Sequence, residues 1–316
     1  MILFQKIRNR FFWLLRKIKK YWDIAFFKYA SDKVYIKKKY RTKFGKDLNL
    51  RSPETFNEKL QWLKLYHRKP QYTDMVDKYK VREYIATRVG EEYLIPSLGV
   101  WDDPDQIDFD ALPDRFVLKC THNSGYGTCI CQDRSKLNVE QVKQELRNGL
   151  AQDYYRTSRE WPYKNVTRRI VGEKFMIDES NKDTKKALID YKVFTFNGEP
   201  KLIYVYQSAH TERGSKPVNT YCDVFDPEWN LQPIYQNFGN DPVTPARPQN
   251  LEKMLELSRK LSEGIPFLRV DMYEINGKVY VGEMTFYSWA GFEPFHPEEW
   301  DYKLGSWLNL PDKRTR

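Results

Sequence analysis

The chain has 316 residues, a formal net charge of +10 at pH 7 and an aromatic content of 16%. That length buries a sizeable core and implies two lobes and a tail, and the aromatic content excludes a disordered chain. The longest strongly apolar run, Phe11-Phe12-Trp13-Leu14-Leu15, is far too short to span a bilayer. Basic residues also interrupt any secretory leader, so a cytoplasmic location is expected.

The charge is not evenly spread. Residues 1–46 hold 15 lysines and arginines against Asp23 and Asp32, while the remainder is slightly acidic. Phe4, Trp13, Trp22 and Phe26 are interleaved with those charges. Such a segment suits the anionic inner surface of a membrane, with aromatics at the headgroup boundary. Nucleic acid is the competing partner, not expected here, and a helix packed on its own protein is a third reading.

Beyond the basic segment, Ser52-Pro53 and the pair Thr55/Glu58 mark a helix start with a capping box. Helices are expected over 54–66 and 74–89, then an extended stretch after Tyr93 and a loop at Asp102-Asp103-Pro104. A short buried strand covers 116–120, and a helix covers 138–150 with its end at Gly149. Strands follow at 166–176, 191–196 and 202–206, a helix at 251–261, and a hairpin beyond it. The four cysteines, Cys120, Cys129, Cys131 and Cys222, form no Cys-x-x-Cys pair and are expected to be reduced structural thiols. His122 alone among the four histidines lies in a candidate motif. The pattern is α+β, with a largely antiparallel sheet in the C-terminal half.

The hairpin carries the clearest chemistry. Arg269-Val270-Asp271 and Gly282-Glu283-Met284-Thr285 flank an Asn276-Gly277 turn signal. A three-residue loop, Ile275 to Gly277, pairs Arg269 with Glu283 and Asp271 with Val281. One face then carries Arg269, Asp271, Glu283 and Thr285, and the other Val270, Met272, Tyr280, Met284 and Phe286. Two carboxylates and a hydroxyl make a hard-cation site of the kind Mg²⁺ completes with phosphate oxygens. The plainer alternative is a surface hairpin with an Arg269–Glu283 ion pair.

Lys119 ends its strand just before Thr121-His122-Asn123-Ser124-Gly125-Tyr126-Gly127. A lysine there reaches nucleotide phosphates, and backbone amides near the two glycines can lie over them. The alternative is an ordinary hairpin turn. Glu173-Lys174-Phe175-Met176, followed by Asp178, ends another strand whose backbone could hold an adenine edge, or else forms a charged edge strand. Asp190 and Lys192 share one face of the next strand, bringing a second lysine toward the same cleft.

Taken in order, these motifs resemble the ATP-grasp superfamily. Asp77-Lys78 before a helix, F-V-L-K…N-S-G-Y-G, V-G-E-K-F-M and R-V-D…G-E-M-T match its successive nucleotide- and magnesium-binding stretches. F-N-E-K-L-Q-W-L-K-L-Y, D-Y-K-V-F-T-F-N-G and G-E-M-T-F are similar to the branch named for the teichuronopeptide biosynthesis protein TupA. The likeness runs over roughly residues 50–310. It implies an ATP-grasp fold of two α+β lobes gripping a nucleotide, with 1–46 as a basic segment, 47–115 as a preceding region and 116–316 as the catalytic lobes. ATP would be held by Lys78, Lys119, Asn123, Ser124, Gly125, Gly127, Glu173, Lys174, Phe175 and Met176, with Asp178 at the ribose. Mg²⁺ would be held by Asp271, Glu283 and Thr285, although many superfamily members have asparagine in place of Thr285. Arg269, Lys119 and Lys192 would be catalytic.

The implied reaction joins a carboxylate to an amine through an acylphosphate, with ATP giving ADP and phosphate. Its partners would be a uronic-acid-bearing glycan or lipid-linked precursor and an amino acid, at the inner face of the membrane. A glycan kinase on the same fold and a nucleotide-sugar glycosyltransferase stay open as other classes. Residues 208–220, with Arg213 and Lys216, are a candidate substrate loop.

Overall fold

The computed structural model describes residues 29–179, 187–209 and 218–312. Most of the basic N-terminal segment, including Phe11 to Leu15, and the loop residues Arg213 and Lys216 lie outside the described residues.

Helix α1, Asp32–Phe44, starts where the Ser31 hydroxyl accepts the Val34 N–H and stops at Gly45, whose φ of 69° is left-handed. Its Tyr35, Ile36 and Tyr40 are buried in the main core, while Lys33, Lys37, Lys38 and Arg41 stay exposed. This part of the basic segment therefore packs on its own protein. Helix α2, Phe56–Tyr66, carries the expected capping box between Thr55 and Glu58. The helix expected over 74–89 is two pieces, α3 (Gln71–Val76) and α4 (Val81–Arg88). It breaks because the buried Asp77 carboxylate takes the N–H groups of Tyr79 and Lys80.

The smaller sheet holds β1 (Ser97–Trp101), β2 (Phe116–Cys120), β3 (Thr128–Cys131) and β4 (Ile170–Lys174) in the antiparallel order β1-β4-β2-β3. Phe116, Leu118 and Cys120 point into a core closed by Val142 and Leu146 of α5, Val139–Ala151. Val117 and Lys119, one residue out of phase, face the opposite side. All four cysteines are buried, unbridged thiols. A short helix, α6 (Tyr154–Ser158), leads back toward the larger lobe.

The larger sheet holds β5 (Asp190–Phe196), β6 (Glu199–Ala209), β7 (Val218–Phe225), β8 (Phe267–Ile275) and β9 (Lys278–Thr285), ordered β7-β6-β5-β8-β9 and antiparallel throughout. Helix α7, Leu251–Ser262, lies on it, and α8, Glu299–Trp307, packs against α2. There the Asp301 carboxylate accepts the Asn57 N–H at 2.9 Å.

The β8–β9 register differs from the expected one. The loop has two residues, Asn276 and Gly277, both with positive φ, so Ile275 faces Lys278. A bulge at Gly282 then shifts the pairing, setting Asp271 opposite Glu283 and Arg269 opposite Thr285. A side chain at Gly282 would meet the Tyr273 ring at 2.8 Å, which accounts for glycine there. The polar face converges as expected, whereas the apolar face gains Val279 and Val281 in place of the half-buried Tyr280.

Because α1 supplies core rather than a detachable arm, Ile36→Ala should cost about 2–5 kcal/mol of stability, as core truncations do. Urea unfolding of the two proteins measures this, and a loss below about 0.5 kcal/mol, the range of surface changes, would contradict the packing.

Candidate functional site

Between the two sheets lies a cavity of about 570 Å³. Val117, Lys119 and Ile130 line it from the smaller sheet, and Lys192, Tyr206 and Tyr273 from the larger. Lys174, Phe175 and Met176 form one side, just past the backbone bond from Lys174 N–H to the Pro96 carbonyl. Across β2 and β4 the Lys119 ammonium meets the Glu173 carboxylate at 2.6 Å. Burial opposes that ammonium, but Glu173 outweighs it and holds the Lys119 pKa above its ordinary value.

The segment after β2 divides into an anchored and an open part. Asn123 is turned inward, donating its amide to the Gly149 carbonyl at 2.7 Å, and His122 Nε2 meets the Gln152 carbonyl at 3.0 Å. Gly127 has φ of 65°, and a Cβ there would come within 2.5 Å of Cys120 Sγ and 2.9 Å of the Gly149 Cα. Gly149 thus serves a close approach inside α5 instead of ending it. Gly125 also has positive φ, yet a Cβ on it would meet nothing within 4 Å. Backbone at Gly125 is therefore the part of the loop open to a ligand.

On the larger sheet, Lys192, Asp271 and Glu283 stand in one row across β5, β8 and β9. Arg269 grips Asp271 in a bidentate pair, Nε to Oδ1 at 2.6 Å and Nη2 to Oδ2 at 2.7 Å. Lys192 reaches the same Oδ2 at 2.6 Å and also binds Asp190. Lys78 crosses from the turn made by Asp77 to bind Glu283 Oε1 at 2.8 Å, while its N–H donates to the Thr121 carbonyl. Burial would raise the Glu283 pKa, but Lys78 and Arg269 overcome it and hold the group at about 2. Asp190 is pushed upward by burial despite Lys192, and Lys192 is raised because Asp190 and Asp271 outweigh its own burial.

A second cavity of about 420 Å³ adjoins the first, and Lys192 and Tyr206 line both. Ser124, Arg269, Glu283 and Thr285 lie on its walls. Asp178 accepts the Asn276 N–H at 3.3 Å and lines a third cavity beside the β8–β9 turn, which shares Ala187, Leu188 and Ser208 with the first. Lys119, Lys192 and residues 173–176 line the first cavity and Ser124, Arg269, Glu283 and Thr285 the second. Lys78 and Asp271 are tied to these walls by ion pairs, while Asn123 and Gly127 face inward.

Two features of the second cavity escape sequence reasoning. Glu160 is a buried carboxylate on its wall, inside Glu160-Trp161-Pro162-Tyr163. A charge amid aromatics next to proline was the available signal. The other feature is Trp289, at the head of a left-handed turn in which Trp289, Ala290 and Gly291 have φ of 50°, 54° and 61°. The non-glycine residues there cost on the order of 1–3 kcal/mol each, the kind of strain that concentrates at functional sites. Gln61 and Lys64 of α2 hold the turn through the Ala290 and Gly291 carbonyls.

The donor set suits a hard cation. Asp271 and Glu283 face each other, both ringed by cations, and the Thr285 hydroxyl is on the same face. No group of three or more His, Cys, Asp or Glu that could hold a metal by itself occurs among the described residues. Mg²⁺ takes one or two carboxylates together with phosphates, and the facing pair Asp271 and Glu283 fits that donor set.

Among solved structures, the chain is similar to an L-amino acid ligase from Bacillus licheniformis, at 13% identity and TM-score 0.44 over 81% of this chain and 55% of that one. It is similar to a D-alanine–D-alanine ligase from Bacillus anthracis solved with ATP, at 15% identity and TM-score 0.38 over 67% and 54%. It is also similar to the ATP-grasp ligase PsnB with its minimal precursor, at 9% identity and TM-score 0.38 over 72% and 57%. The chain spans a little more than half the length of each of these structures. A search of curated protein sequences found no match. Residues 58–309 match the model of the TupA-like ATP-grasp family, and the chain belongs to that family.

Proposed function

We propose that this protein is an ATP-dependent carboxylate–amine ligase. The observation that carries this reading is the junction of two cavities at Lys192 and Tyr206, with carboxylates and cations on both sides of it. Adenine would lie in the first cavity between Val117, Ile130 and Tyr273, beside the backbone of 174–176. The phosphates would run toward Lys78 and Lys119 beneath Gly125, each lysine exchanging a carboxylate partner for phosphate oxygens. Asp271 and Glu283, helped by Thr285, would hold Mg²⁺. When bound, that ion neutralises charge on the phosphates.

The acceptor carboxylate would enter the second cavity and lie against Arg269 and Lys192. These cations orient it toward the γ-phosphorus and stabilise charge on the transferred group. Its oxygen attacks, ADP leaves, and an acylphosphate remains. An amine then displaces phosphate to give an amide. No side-chain nucleophile is required.

For substrates we infer a carboxylate borne by a surface glycan or its lipid-linked precursor and an amino acid as the amine. A peripheral position at an anionic membrane surface is supported by Lys33, Lys37, Lys38 and Arg41, exposed on α1 opposite its buried face. No helix among the described residues is long and apolar enough to cross a membrane.

Thermal unfolding with Mg²⁺ and a non-hydrolysable ATP analogue should show a shift equivalent to about 2.7 kcal/mol at a hundredfold excess over Kd. Asp271→Asn combined with Glu283→Gln should abolish the metal dependence. A shift with a UDP-sugar in place of ATP would overturn the reading. With a turned-over acceptor, release of orthophosphate marks ligation, whereas phosphate retained on the product marks a kinase.

The loop glycines should separate cleanly. Gly127→Ala forces a methyl group into Cys120 and Gly149 and should destabilise the fold by about 1–3 kcal/mol. Gly125→Ala should leave stability within about 1 kcal/mol, because only its φ is strained, and should weaken the nucleotide-dependent shift. Equal stability losses in the two variants would contradict this division of labour.

A further inference from the structure

Around the two cavities, Glu173, Asp190, Asp271 and Glu283 each have a lysine or arginine within 4 Å. Glu160 has none among the described residues, although it is only 3% exposed and lines the second cavity. The Tyr154 hydroxyl donates to its Oε1 at 3.2 Å. The buried Lys64 acts on it only through charge, because its ammonium donates to the Ser158 and Ala290 carbonyls at 3.0 and 2.5 Å. Burial pushes the Glu160 pKa up, and the field of Lys64 opposes that rise.

Aromatic walls surround this carboxylate. Tyr154, Tyr163, Tyr287 and Trp289 line the same cavity, and the rings of Tyr154 and Tyr163 meet edge to face at 4.7 Å. Trp289 is 41% exposed, held outward by the left-handed turn that Lys64 and Gln61 clamp. A buried carboxylate without an ion pair is costly, and a cation among aromatic faces relieves that cost. Phosphate and carboxylate have their cations at Lys78, Lys119, Lys192 and Arg269, so the group that fits beside Glu160 carries the opposite charge.

Building on the ligase reading above, we propose that Glu160, walled by Tyr154, Tyr163, Tyr287 and Trp289, binds the ammonium group of the amine substrate and takes the proton it must lose. One proton passes from the ammonium to Glu160, and the freed nitrogen lone pair attacks the acylphosphate carbonyl carbon. The C–N bond forms as the C–O bond to phosphorus breaks. The second nitrogen proton leaves with the phosphate, giving amide and hydrogen phosphate.

The test is a ligand-observed NMR titration of the full chain, with Mg²⁺ and the ATP analogue, using propylammonium and its neutral counterpart propanol. Wild type should bind propylammonium at least about tenfold more tightly than propanol, and Glu160→Gln should erase that preference. The nucleotide-dependent thermal shift of Glu160→Gln should persist, showing that the fold and the first cavity survive. Should that variant not fold, Trp289→Ala, which changes an exposed side chain, should weaken propylammonium by about threefold or more and leave propanol unchanged. Wild type binding both probes equally, or a Glu160→Gln variant that keeps the preference, would overturn the ammonium site. Loss of the wild-type nucleotide shift with the ammonium preference intact would instead defeat the ligase reading alone.

Discussion

The structure depends on one constraint: charges that are withdrawn from water must be paired. Lys78, Glu283, Arg269, Asp271, Lys192 and Asp190 form a continuous chain of ion pairs at the base of the cleft. Asp271 alone receives bonds from both Arg269 and Lys192. That chain ties β5, β8 and β9 to the turn at 77–80, elements separated by as many as 205 positions in sequence. Removing one member would strand its partner in a poorly solvated place, which typically costs 3–5 kcal/mol. Apolar residues of similar size would satisfy the fold more cheaply, so stability by itself does not account for so many charges in one cleft.

Backbone geometry serves the same convergence. The bulge at Gly282 corrects a register that the two-residue turn alone would leave one step out, setting Asp271 beside Glu283. Asp77 breaks a helix so that Lys78 can leave the α3–α4 line and reach that carboxylate. On the far side, Asn123 and Gly127 fasten both ends of a loop whose middle, at Gly125, stays clear. In each case a local departure from regular structure positions a polar group that regular structure would misplace.

How far the sequence discloses this follows from the range of the signals. Alternation in Phe116 to Cys120 and the flanks of Asn276-Gly277 are local patterns, so strand identity and the facing of Lys119, Asp271 and Glu283 are legible. The bulge is not, because it depends on Tyr273 lying where a side chain on residue 282 would go. The basic charge of the N-terminal segment obscures the burial of Ile36 and Tyr40, whose partners lie far along the chain. Glu160 is hidden for a related reason. Its significance is that among the described residues no lysine or arginine comes within 4 Å of it, Lys64 acting only through its field, and only the fold reveals which cations approach it. The bond from the Asn276 N–H to Asp178 is likewise hidden, because it joins residues 98 positions apart.

The cleft in this form is close to electrically self-satisfied, and that shapes how ligands enter it. On the proposed reading ATP would bring several negative charges to lysines already engaged by Glu173 and Glu283, so its binding would be an exchange of anionic partners. Carboxylates released in that way would need cations of their own, and on the proposed reading Glu283 and Asp271 would hold Mg²⁺. Nucleotide and metal would then be coupled by charge balance, each making the other's site less costly to occupy. Glu160 stands outside that exchange because no lysine or arginine approaches it within 4 Å among the described residues. Its charge is left for whatever enters the second cavity, and with Arg269 and Lys192 lining the same space, that cavity can hold an anionic and a cationic group side by side. A single cavity presenting both polarities, beside lysines that would meet phosphate on the proposed reading, is what joining an acid to an amine requires.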